Sequence, residues 1–296
     1  MDPLLFAPRP PAQPHRIGVV LGDLGRVNIP ALKYLIVYLN TLQNIFEYEI
    51  LPKPPHSMLV SMLDGWMLMN RDVVRGRLRE FHGQLTRHVA HLERCYLPYK
   101  FAVPTVPDHV VLLTMGRLEN GFYTVGDDAV RAVALGHWQS ELAPPSILEF
   151  FVTLLLRQSI ALISPTFRST GHIGTKGCLF DFTDDLGDAR FKAMQGFVCH
   201  DCRRLLAEAP PPNLVEALVP ILNTRSWLGS SADVNTPAGV VAKLGYDLFL
   251  TRGAQPSLKE KFFAILREDG FKELLKLASL ILLALILYWF GLKGGS

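Results

Sequence analysis

Residues 172–202 read HIGTKGCLFDFTDDLGDARFKAMQGFVCHDC and hold three of the chain's four cysteines. Cys199-x-x-Cys202, at the start of a predicted helix, supplies two thiolates on one side of a site. Cys178 lies 21 residues upstream and can close the site from a loop, and His172, six residues before it, is the natural fourth ligand. A Cys3His set gives the tetrahedral sulfur and nitrogen environment that zinc favours. The alternatives are three buried free thiols or a redox CxxC pair. Asp181, Asp184, Asp185 and Asp188 mark the connection as polar and loop-like, where unsupported buried thiols fit poorly, so zinc is the expectation. Four protein ligands make a closed site, structural rather than catalytic. His200, between the paired cysteines, is expected to point away from the metal.

Upstream, residues 16–21 (RIGVVL) read as a short strand, and Gly22 to Arg26 as a turn. Asn28 can cap a helix with Pro30 in its first turn, running to about Tyr48 with Leu32, Leu35, Ile36, Leu39 and Leu42 on one face. Glu49 to Pro52 returns as a strand. Residues 71–96 predict a basic amphipathic helix, with Val74, Leu78, Phe81, Leu85, Val89 and Leu92 at helical spacing. Val110–Met115 and Asp128–Leu135 read as strands. Ser146–Ile163 reads as a strongly apolar helix, with Ser146 and Glu149 forming a capping box. After Pro210-Pro211-Pro212 come a short helix at 213–223 and a loop-like stretch at 224–256. Ser257 then caps another amphipathic helix, with Glu260 completing Ser-x-x-Glu. Strands alternating with helices predict an α/β or α+β domain with a mixed sheet and flanking helices.

The order of these features resembles the archaemetzincins, zinc peptidases of metzincin-type fold. Their signature is HExxHxxGxxH, then Cys, four residues, Cys-x-Met, and a later CxxC. Cys178 matches the Cys of Cys-x-Met, with Phe180 in place of Met, and Cys199 and Cys202 match the final pair. Counting back from Cys178 puts His172 on the third histidine of the signature and Ile173 where the first cysteine should stand. The resemblance covers roughly residues 16–206. It implies that Val110–Met115 precedes an aspartate-rich turn, that Asp128–Leu135 is the strand before the active-site helix, and that Ser146–Ile163 is that helix.

The departures bear on function. The same count places Leu162 and Ile163 where His-Glu should be, Thr166 at the second histidine and Ser169 at the glycine. Without two histidines there is no open catalytic zinc, and without the glutamate no base to activate its water. The resemblance therefore implies a degenerate peptidase fold that keeps a structural zinc and has no catalytic residues.

Other constellations are weaker. His88, His91 and Cys95 share one stretch of the 71–96 helix, and a solvated or stacked pair is the plainer account. Arg71, Arg75, Arg77, Arg79, Arg87 and Arg94 could meet lipid phosphates or an acidic partner, but an exposed face explains them as well. Gly22-Asp-Leu-Gly25 lacks dinucleotide-binding spacing, and Gly229, Ser230 and Ser231 match no nucleophile elbow.

At the C-terminal end, Leu277–Leu292 (LASLILLALILYWFGL) carries no charge, and Lys276 and Lys293 bracket it. With Leu274 and Leu275 it makes a helix of roughly 28 Å, just long enough to cross a bilayer. Lysines and arginines cluster before this run, which predicts a single-pass protein with its N-terminal domain cytoplasmic. The lead MDPLLFAPRPPAQPHR holds five prolines and no signal-peptide core. A net charge of +3 is too small to argue for a nucleic-acid partner. The expected organisation is a Pro-rich lead at 1–15, the α/β domain at 16–206, a helical or loop linker at 207–270 and a transmembrane helix at 271–293.

These expectations describe a non-catalytic, membrane-anchored, zinc-binding interaction or sensor protein. Its partners would be membrane lipid through Leu277–Leu292, a cytosolic protein and a second copy of itself. A cytosolic sensor fused to one short span also recurs among membrane-acting effectors of bacterial antiviral defence. The alternative is a membrane-tethered zinc metallopeptidase with unorthodox ligands such as His172, His137 or the His88/His91 pair.

Overall fold

The first expected strand forms as His15–Leu21 (β1), and its pairing sets the topology. In chain order there follow α1 (Ile29–Leu42), β2 (Phe46–Leu51), α2 (Met58–Leu63), β3 (Leu68–Met69), α3 (Arg71–Tyr96), β4 (His109–Thr114), β5 (Arg117–Leu118), β6 (Thr124–Gly126) and β7 (Val130–Ala134). The second half is helical: α4 (Ile147–Ile163), α5 (Thr166–Ser169), α6 (Leu186–Gln195), α7 (His200–Glu208), α8 (Leu214–Leu222), α9 (Thr224–Leu228) and α10 (Pro237–Lys243). A last helix, α11 (Phe271–Trp289), belongs to a separate compact unit that begins at Gln255. This is a computed structural model, and it describes residues 13–64, 67–96, 105–210, 213–248, 251–255 and 271–289.

Five strands form a mixed sheet in the order β2-β1-β4-β7-β6. β1 runs parallel to β2 on one side and to β4 on the other, β4 runs parallel to β7, and only the edge strand β6 is antiparallel. The α/β class with a mixed sheet, read from the alternation of patterns, is the fold observed. Successive side chains point to opposite faces. Ile17, Val19, Val111, Leu113 and Val133 join α1 and α4 in one core, while Val20, Val110, Leu112 and Ala132 join α2 and α3 in a second.

Local chemistry explains the helix starts. Asn28 Oδ1 accepts the amide of Ala31 at 3.1 Å, with Pro30 in the first turn of α1. At α4 the capping box is complete: Ser146 Oγ accepts the Glu149 amide and Glu149 Oε2 accepts the Ser146 amide at 2.7 Å. The strongly apolar sequence of α4 follows from its position. It packs against β4 and β7 of the sheet and against α1, α5 and α6, and 14 of its 17 residues are buried. α3 is the opposite case. Only the stripe Val74, Leu78, Phe81, Leu85 and Val89 is buried, and most of its arginines face water.

The chain reverses direction along the sheet between β1 and β4. Here Asp64, just past α2, reaches back: its Oδ1 accepts the amide of Asp23 at 2.5 Å and its Oδ2 pairs with Lys53 Nζ at 3.1 Å. Thr114 Oγ1 at the end of β4 donates to the Leu63 carbonyl at 3.1 Å.

One expectation about the C-terminal third needs correction. The stretch 224–256, read as a loop because of its Ser, Thr, Gly and Pro content, contains α9 and α10. Leu214, Leu218, Leu222, Leu228 and Val241 join the same core as α1 and α4, so much of the expected 207–270 linker is integral to the α/β body. The helix expected after Ser257 lies outside the described residues, as does the Pro-rich lead up to residue 12.

The expected transmembrane helix lies only partly within the described residues. α11 includes Lys272, Glu273 and Lys276, which leaves only Leu277–Trp289 uncharged, about 20 Å of helix at ~1.5 Å per residue. No helix among the described residues is long and apolar enough to cross a membrane. Residues 290–293 of the expected span lie outside the described residues.

Candidate metal centre

The loop after α5 folds back on itself before reaching Cys178. His172 and Asp181 form an isolated parallel bridge, with the Phe182 amide donating to the His172 carbonyl at 3.0 Å. Cys178 bridges Phe197 in the same way, and the Leu179 amide donates to the Phe197 carbonyl at 2.8 Å. α6 fills the gap between them. It ends at Gly196 in the left-handed region (φ 55°), where the Leu222 carbonyl takes the space a Cβ would need, so glycine is required there. Three residues later Cys199 stands at the N-cap of α7, and Cys202 follows in its first turn.

Four donors converge as a result. The side-chain ligand atoms of His172, Cys178, Cys199 and Cys202 all lie within 4.8 Å of one another. The three thiols are buried and His172 is half-buried. Cys199 Sγ and His172 Nε2 are 3.3 Å apart, about the spacing of two donors on one tetrahedral zinc. His200 is exposed and takes no part, as its position between the cysteines suggested. Among the described residues, this is the one group of His, Cys, Asp or Glu side chains arranged to hold a metal.

The surroundings suit a thiolate at Cys178. Cys178 Sγ accepts the amides of Cys199 at 3.3 Å and of Phe180 at 3.5 Å. The Cys202 thiol holds the Cys178 pKa down, to about 5, against the opposing effect of burial, and the two amides and His172 add to the lowering. Cys202 is pushed up as the proton-bearing partner of that thiolate.

Behind His172 stands Asp181, its side chain almost fully enclosed. Asp181 Oδ1 lies 2.9 Å from His172 Nδ1, close enough to orient the imidazole, although the N–H points off the line to the oxygen. Asp181 Oδ2 accepts the amides of Lys176 and Cys178, both at 2.9 Å. A carboxylate behind a metal-binding imidazole is a recurrent way of fixing its tautomer. Sequence reading took Asp181 only as a sign of loop polarity. Its proximity to the cysteine in sequence was the available signal.

Two cations complete the site. Lys192 of α6 is buried, and its Nζ donates to the Asp181 carbonyl at 2.7 Å and to the Tyr123 hydroxyl at 3.2 Å. Burial, and then Arg157, lower its pKa to about 8. Arg157 of α4 places its guanidinium carbon 4.9 Å from the Phe180 ring centroid and donates to the Thr170 carbonyl at 3.2 Å. A zinc ion with three thiolates and a neutral imidazole carries one net negative charge. These cations supply the compensation such a centre needs inside a protein.

Apart from His172, the positions set against the peptidase signature hold no histidine or glutamate. Leu162 is buried in α4, and Thr166 and Ser169 lie on the short helix α5. Glu149 is committed to the α4 cap. His137 Nε2 contacts the Leu118 carbonyl at 2.9 Å, and His91 Nε2 contacts Cys95 Sγ at 3.7 Å on the exposed end of α3. None of these side chains joins His172.

No family model matches the chain, and no curated protein matches it. Two solved structures are similar to it. One is archaemetzincin from Methanopyrus kandleri, 15% identical with a TM-score of 0.39, covering 68% of this chain and 97% of that one. The other is archaemetzincin from Archaeoglobus fulgidus complexed with malonate, 12% identical with a TM-score of 0.38, covering 64% of this chain and 98% of that one. Similarity at this level assigns neither a family nor an activity to the chain.

Proposed function

We propose that the chain is a zinc-binding interaction protein whose metal, held by His172, Cys178, Cys199 and Cys202, is structural. The observation that carries this reading is the convergence of four protein donors, three of them buried thiols, on one point. Such a set leaves no position for substrate or an activated water, so zinc there supplies cross-linking rather than hydrolysis. It would tie the loop of residues 172–181 to the start of α7.

The loop also displays apolar surface. Ile173 is 94% exposed and Phe182 61%, with Phe191 and Phe197 also exposed on neighbouring segments. Apolar side chains presented beside a metal-stapled loop suit contact with a protein partner. Measuring metal on the purified chain tests the proposal. One zinc per chain, retained through dialysis and removed only by strong chelation with a large loss of stability, is expected. A second, exchangeable zinc accompanied by chelator-sensitive peptide cleavage would instead establish a peptidase.

A further inference from the structure

The open edge of the sheet at β6 carries a constellation separate from the metal loop. Arg71 and Arg75 from the first turns of α3, Arg131 of β7 and Arg168 of α5 line one open cavity of about 270 Å³, together with the turn at residues 126–128. Arg131 opposes Gly126 across the β6–β7 ladder. A Cβ at Gly126 would lie 2.6 Å from Arg131 Nε, so the glycine is what admits the guanidinium to the edge. Strand alternation puts Arg131 on the α4 side with Val133, whereas Arg71 and Arg75 come from the helix on the opposite face. The cavity thus draws cations from both faces of the sheet around its rim.

Four arginines meet three carboxylates here, Asp127 and Asp128 in the lining and Asp72 beside Arg75. Arg75 pairs with Asp72 at 2.9 Å, and Arg168 pairs with Asp128 at 2.7 Å; both carboxylates are largely exposed. Asp127 Oδ1 is occupied by the amides of Ala129 and Val130. Arg71 lies over the Phe122 ring, 4.5 Å from its centroid, and neither Arg71 nor Arg131 has an ion-pair partner among the described residues. Arg71 Nε, Arg131 Nε and Nη1, and Arg168 Nε are shut off from water and meet no acceptor among the described residues. Arginines on a sheet edge can simply discourage strand addition, but that role needs charges in water, not enclosed guanidinium nitrogens without acceptors.

We propose that this cleft binds a small phosphate monoester, with its anionic group between Arg71 and Arg131. Planar guanidinium forks match the oxygens of a phosphate. A monoester presents three free oxygens, enough to accept from both guanidinium forks at once, whereas a diester presents two. The cavity is several times the roughly 30 Å³ share of one water, so it has room for an organic remainder as well as the phosphate.

Calorimetric titration of the full chain with inorganic phosphate, methyl phosphate and dimethyl phosphate at fixed low salt tests this. Saturable 1:1 binding of the first two is expected, with dimethyl phosphate at least about tenfold weaker. Arg71→Gln and Arg131→Gln should each weaken methyl phosphate about tenfold or more. Gly126→Ala should do the same by displacing Arg131. Arg204→Gln, at an exposed position of α7, should leave binding unchanged. If circular dichroism shows that Arg131→Gln does not fold, Arg71→Gln on the surface of α3 decides alone. No saturable phosphate binding by the wild type, or equal binding by wild type and Arg71→Gln, overturns the site. Equal binding of the mono- and dimethyl esters overturns the monoester assignment.

Discussion

Lys192 donates from inside the core to the backbone carbonyl of Asp181, 2.7 Å away, and so braces the residue whose carboxylate stands behind His172. The order of support runs from α6 to Asp181, from Asp181 to the imidazole and the Cys178 amide, and from there to the metal donors. A buried ammonium in this role makes the candidate metal centre and the packing of α6 parts of one construction.

Replacing Lys192 with Met should therefore act differently in the two metal states. With zinc bound, the variant should be less stable by roughly 1–3 kcal/mol, the cost of leaving the enclosed carbonyl without its donor. After chelation the loss should shrink, because an enclosed charge without the anionic centre is itself unfavourable. Denaturant unfolding of both proteins, with zinc and with chelator, measures the difference. Equal losses in the two states would separate Lys192 from the metal.

The same lysine gives a pH signature. Its pKa in the folded protein is lowered to about 8 from an ordinary value of 10.5. Between those values the unfolded chain binds more protons at this residue than the folded one, so its contribution to stability becomes more favourable as pH rises from about 8 to 10.5. The stability of the wild type relative to Lys192→Met should rise across that window. A flat difference would mean that the ammonium is not desolvated.

Cys199→Ser and Cys202→Ser should each release the metal and lower the melting temperature sharply, since binding at a structural zinc site is coupled to folding. Metal analysis of the dialysed variants and thermal melts check this. Full zinc content in the double variant would disprove the ligand assignment.

Asp181→Asn should retain zinc but bind it about 10–100-fold more weakly, as expected for a group that orients a metal-binding imidazole. Competition with a chromophoric chelator measures the shift. Asp184→Asn, at an exposed position nearby, is the control and should leave affinity unchanged.

Leu155→Ala, in the fully buried part of α4, should cost about 2–5 kcal/mol, as large-to-small changes in packed cores do. Phe182→Ser, at an exposed site on the metal loop, should change stability by less than about 0.5 kcal/mol. Urea unfolding separates the two outcomes.

Much of this was legible from residue order alone. α3 was readable because one apolar stripe of five residues repeats against an arginine-rich face, and α4 because Ser146 and Glu149 announce its start. The four donors were readable because cysteines in a polar loop need a reason to be there. α9 and α10 were not, because Ser, Thr, Gly and Pro favour turns locally, and only contact with the α1–α4 core makes short helices there worthwhile. β6 has three residues and no alternation to detect. The arginine cleft was hidden for another reason: Arg71, Arg131 and Arg168 are far apart in sequence, and only the sheet edge brings them together.

Asp64 gives the sheet an unusual division of labour. In open α/β sheets the crevice beyond the carboxyl ends, where strand order reverses, is the usual doorway for ligands. Here the chain's own carboxylate already occupies the Asp23 amide at that doorway, and Leu63 caps the Thr114 hydroxyl beside it. The centre of the sheet is thus a keystone, latched from within. Both sites proposed above lie at the periphery, where short loops and an edge strand can change their side chains without disturbing the latch.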